Sequence, residues 1–69
     1  MTVATKVARA IAHLKSAQAS FESFSLETQD KSAKHMYQDA AKATESLAQS
    51  LEQRLENIQD EEPEFKSNL

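Results

Sequence analysis

His13 and His35 are the only histidines of a 69-residue chain that contains no Cys, no Gly and no Trp. Imidazoles are the first side chains to test as metal ligands or general bases. A di-iron helical bundle places a Glu three residues before a His on facing helices. Here Glu22, Glu27, Glu45 and Glu52 are followed at that spacing by Ser25, Asp30, Ala48 and Leu55. The histidines fall in different segments, too far apart in the expected fold for one chain to hold a metal between them. Without Cys there is no thiolate zinc site, disulfide or cysteine nucleophile. Without Gly the many serines have no nucleophile elbow, and no loop can cradle a phosphate. Asp39, Glu45, Glu52 and Glu56 spread along one helical face, the pattern of a solvated surface. His13 near Glu45 would make at most a weak surface pair. Phe21, Phe24, Met36 and Tyr37 could line a pocket, but at helical spacing they read as core, with Tyr37 needing a partner or water for its hydroxyl. The residues predict no catalytic group, no metal site, no cofactor and no enzyme.

Eight Lys and Arg stand against 11 Asp and Glu, a net charge of −3. That balance disfavours nucleic acid as a partner, because such binding rests on neutralising phosphates. Lys6, Arg9 and Lys15 precede the first acid, Glu22, and all 11 acids follow. A chain folded back on itself would set its basic start beside its acidic end. No apolar run approaches the roughly 20 residues of a membrane span. The start has no apolar signal-peptide core, so a cytoplasmic location is expected.

The elements that carry these residues follow from spacing. Val3, Val7, Ile11, Leu14, Phe21 and Phe24 recur at threes and fours, with Ala10 and Ala17 between them, which predicts a first helix over about 3–26 capped by Thr2. The pattern loosens at 25–30, where Thr28 and Asp30 offer oxygens to cap a second helix over about 31–60. Its apolar face reads Ala33, Met36, Tyr37, Ala40, Ala43, Leu47, Leu51, Leu55 and Ile58. Pro63 and the acidic run Asp60-Glu61-Glu62 oppose continuation. Residues 1–60 therefore read as one all-α unit, an antiparallel two-helix hairpin, followed by an acidic tail over 61–69.

A turn centred near position 29 would set Val3 opposite Leu55, Val7 opposite Leu51, Ile11 opposite Leu47 and Phe21 opposite Tyr37, with a waist where Ala17 faces Ala40 and Ala41. Two helices cannot cover both apolar stripes. Burying a Leu or Phe contributes about 1.5–3 kcal/mol, while ordering each residue costs about 1–2 kcal/mol. A dimer forming a four-helix bundle resolves the deficit. The residues expected in the core or the self-association surface are Val7, Ile11, Leu14, Phe21, Phe24, Tyr37, Leu47, Leu51 and Leu55. Thr5, Ala8, Ala12, Ser16, Ala19 and Ser23 form a ridge of small side chains, read as good helix formers filling an exposed face. Phe65 is a candidate anchor in the tail. A ferritin-like metal- or ligand-binding bundle and a peripheral membrane-binding protein are the alternative functions.

Thr2-Val3, Leu14-Lys15-Ser16-Ala17-Gln18-Ala19, Thr28-Gln29-Asp30, Met36-Tyr37, Arg54 and Glu61-Glu62-Pro63-Glu64-Phe65 occur in an order that resembles a short helical family of unknown function from spore-forming bacteria. Members of that family tend to be encoded near SpoVA-type spore membrane proteins, and a related domain occurs fused behind a small membrane domain. The resemblance implies a forespore or spore location and a spore membrane protein as partner. It implies no catalytic or binding residue. Ser67-Asn68-Leu69 lie outside it.

Overall fold

The computed structural model describes residues 2–61, which form two helices, α1 (Thr2–Glu27) and α2 (Lys31–Glu61). The expected tail, with Phe65, lies outside the described residues, as does the expected capping side chain of Thr2. The described residues contain no positive φ and no cis peptide. Thr28, Gln29 and Asp30 therefore turn the chain without the backbone conformation that glycine serves.

Side-chain capping does that work. The Thr28 amide still donates to the Phe24 carbonyl (3.0 Å), closing α1. The Thr28 hydroxyl then accepts from the Asp30 amide (3.3 Å). Asp30 Oδ1 accepts from the amides of Ser32 (2.9 Å) and Ala33 (3.4 Å), two donors that have no partner inside α2. The Lys34 amide donates to the Asp30 carbonyl (2.9 Å), so Asp30 is the N-cap residue. Such a cap contributes about 1 kcal/mol. The break is thus only three residues long, shorter than the disturbed pattern over 25–30.

The helices run against each other along a molecule of 50 × 15 × 13 Å. Its radius of gyration is 15.7 Å, well above the roughly 11 Å of a compact chain this long. Ala4, Ile11 and Ser25 are buried on α1, and Ala41, Ala48 and Ile58 on α2. Half-buried residues fill the intervals: Val7, Leu14, Gln18 and Phe21 on α1, and Tyr37, Thr44, Leu51 and Leu55 on α2. On each helix the buried series alternates steps of three and four, the seven-residue repeat of a coiled-coil seam.

This seam corrects the expected register. A turn centred near position 29 would set Lys15 level with Ala43 and Phe24 level with Lys34. Instead Lys15 pairs with Glu52 (2.7 Å), and the Phe24 ring meets Tyr37 with centroids 5.5 Å apart. Both contacts lie farther along α2 than that pairing sets them, by about one helical turn at Phe24 and more than two at Lys15. The physical reason is size. Ala4, Ser25, Ala41 and Ala48 occupy buried seam positions, and small residues at the contact let two helices pack closely.

The polar members of the seam are satisfied by their own helices. The buried Ser25 hydroxyl donates to the Glu22 carbonyl at 2.7 Å. The Thr44 hydroxyl lies 2.6 Å from the Ala40 carbonyl and 3.0 Å from that of Ala41. Among the described residues no buried side-chain polar atom lacks a partner. These back-bonds remove the cost of burying a hydroxyl without linking the two helices.

Candidate functional site

A two-helix seam has two lateral edges, and here they differ in chemistry. On the first, Lys15 Nζ is 2.7 Å from Glu52 Oε2. An open groove of about 380 Å³ runs beside this pair, walled by Glu22, Glu45, Gln18 and Gln49 and floored by Ala48. Gln18 Nε2 donates to Glu22 Oε2 at 3.1 Å, within α1. A second groove of about 360 Å³ continues the edge past Ser25, Gln38, Ala41 and Lys42. The grooves exist because seam positions on this side are small. Their walls are long polar side chains in solvent, and the Lys15–Glu52 pair, about half exposed on both sides, contributes well under about 1 kcal/mol. Glu45, expected near His13, lines this groove with Lys15.

The second edge lies beside the large seam residues Val7, Leu14, Phe21, Tyr37 and Leu51. The position flanking the seam on this side carries Val3, Ala10, Ala17 and Phe24 on α1, and Ala33, Ala40 and Leu47 on α2, with Arg54 toward the open end. Val3 is 53% exposed, Phe24 44% and Leu47 50%, and Met36 adjoins them at 60%. The rings of Phe21 and Phe24 meet edge to face at 6.3 Å, and Phe24 continues the stack to Tyr37. Leu26, 81% exposed, projects from the other side of α1. Scattered apolar side chains on a surface need no explanation, but a contiguous stripe marks an interaction site.

The nine residues expected in the core or association surface divide between these environments. Ile11 is buried in the seam. Val7, Leu14, Phe21, Tyr37, Leu51 and Leu55 are half-buried, and Phe24 and Leu47 are exposed on the apolar edge. Reading by size alone missed Ala4, Ser25 and Ala48 as seam residues, whereas Ala41, expected at the waist, is buried there. Their signal was the seven-residue spacing of Ala4, Ile11, Gln18 and Ser25, matched by Ala41, Ala48 and Leu55. The small-residue ridge, including Ala8, Ala12, Ser16 and Ser23, is exposed.

His13 and His35 are both exposed. The described residues hold no group of three or more His, Cys, Asp or Glu side chains able to bind a metal ion. No helix among them is long and apolar enough to cross a membrane. What this arrangement offers is a rigid helical surface with one polar edge and one apolar edge.

Residues 7–55 match the model of a protein family of unknown function, DUF1657. The chain belongs to the DUF1657 family. The matched span begins at Val7 and ends at Leu55, so it contains most of the seam, the whole turn and most of the apolar edge. No curated protein and no solved structure matches the chain.

Proposed function

We propose that this DUF1657 chain is a non-enzymatic helical interaction module that self-associates through its apolar edge and serves as an accessory to spore membrane proteins. The observation that carries the association is the stripe formed by Val3, Phe24, Met36 and Leu47, each 44–60% exposed. A chain this short gains little from a single core, and a second layer of helices supplies the missing burial. The spore setting rests on the ordered motifs, from Leu14-Lys15-Ser16-Ala17-Gln18-Ala19 through Thr28-Gln29-Asp30 to Met36-Tyr37. A cytoplasmic forespore protein would reach the membrane through a partner, with the polar edge and outer faces left to contact it.

Gel filtration with light scattering over a dilution series tests the association. A dimer mass that gives way to monomer on dilution supports the reading, and a well-folded monomer at every concentration contradicts it. Crosslinking and affinity capture from sporulating cells test the accessory role. Recovery of a spore membrane protein supports that role, and recovery of the chain's own copies alone limits the function to self-association.

A further inference from the structure

We infer that the occupant of the apolar edge is a second copy of this chain docked antiparallel, with Leu47 at the two-fold axis. The inference rests on the self-association reading and adds the arrangement. The molecule extends 50 × 15 × 13 Å, so one whole long side, apolar edge and flanks together, projects roughly 700 Å², on the scale of the roughly 800 Å² that each partner contributes to a standard stable interface.

An isologous pair has its two-fold axis in the plane of the interface, either along the hairpin or across it. An axis along the hairpin sets α1 against α2 of the second copy, with both turns at the same end. An axis across the hairpin reverses one copy and sets α1 against α1 and α2 against α2. The residues flanking the apolar edge separate these cases. On α1 the flank reads Lys6, His13, Ser20 and Glu27, a cation at one end and an anion at the other. On α2 it reads Met36, Ala43, Ser50 and Asn57, without charge.

Antiparallel docking brings Lys6 of each copy to the Glu27 end of the other, forming two complementary contacts. The uncharged flanks of α2 meet each other. The parallel arrangement sets Lys6 against Asn57 and Glu27 against Met36 and leaves that complementarity unused. Charge complementarity of this kind fixes orientation more than it adds affinity. Leu14 and Leu47 sit near the middle of their helices, so reversal carries Leu47 onto Leu47 of the second copy. The same reversal carries Phe24 to the far end of the interface.

The absence of native cysteine makes single-cysteine variants clean reporters. Disulfides require Cα atoms within about 7 Å. Under mild oxidation Leu47→Cys is expected to link to itself in most of the dimer, while Phe24→Cys does not. Ala43→Cys and Ser50→Cys are substitutions at exposed positions that leave the seam intact, and chains carrying one each are expected to link when mixed. Light scattering on each reduced variant, at a concentration high enough to offset the loss of the Leu47 side chain, establishes that the dimer is present before oxidation. A dimer in which Phe24→Cys links to itself, or in which neither Leu47→Cys nor the mixed pair links, overturns the arrangement while leaving self-association standing. A monomer in the unsubstituted chain overturns the association itself.

Discussion

Ile11→Asp is expected to abolish the folded hairpin at ordinary concentrations, seen as loss of the helical circular dichroism signal. Ile11 is 6% exposed and is the largest buried side chain of α1. Truncating such a residue to Ala costs about 2–5 kcal/mol. A carboxylate adds an uncompensated charge among apolar neighbours, a further cost of several kcal/mol. A chain of this size has a total stability of only about 3–5 kcal/mol. Ala12→Asp, one position along on the exposed face, is the matched control and should leave the signal nearly unchanged. Retained helicity in Ile11→Asp would mean that the seven-residue seam does not hold the helices together.

Leu47→Ser is expected to separate association from folding. Leu47 is 50% exposed in the single chain, so about half of its burial energy remains to be gained on docking. Full burial of a Leu is worth about 1.5–3 kcal/mol. In an isologous interface the substitution removes the side chain twice, so dimerisation weakens by about 1.5–3 kcal/mol, or roughly ten- to over a hundredfold in the dissociation constant. Sedimentation equilibrium reads this directly. At concentrations high enough to restore the dimer, the helical content should match that of the parent chain. An unchanged dissociation constant would remove Leu47, and with it the apolar edge, from the interface.

The two predictions separate what the sequence disclosed from what it concealed. The helices and their break were legible because periodicity and capping chemistry agree. Thr28 and Asp30 are hydrogen-bonding residues at a place where orphan amides must be satisfied, and both side chains are used there. The pairing register was concealed because size and apolarity were taken as the marks of the core. Ala48 in the seam and Ala12 on the surface are the same residue type, and both suit a helix equally well. Only the recurrence every seven residues distinguishes them. Val3, Phe24 and Leu47 are large enough to dominate a helical face, yet they flank the seam, because they fall one position before its seven-residue series of Ala4, Ser25 and Ala48. Of the stripe expected between the helices, Ile11 and the half-buried Val7, Leu14, Phe21, Tyr37, Leu51 and Leu55 stay in the seam, and Val3, Phe24 and Leu47 stand on one outer edge. Ser25 was read as part of a weakening pattern, whereas its hydroxyl is satisfied by the Glu22 carbonyl within α1 and its small size suits the seam.

The central claim is that two helices of this chain reach stability by docking through the apolar edge. Thermal unfolding followed by circular dichroism over a hundredfold range of protein concentration tests it most directly, because association of the folded form alone makes the midpoint depend on concentration. The midpoint is predicted to rise steadily with concentration in the parent chain and to lie lower in Leu47→Ser at each concentration. A midpoint constant across the range, with full helicity at the lowest concentration, would contradict the claim and show a hairpin that is stable alone.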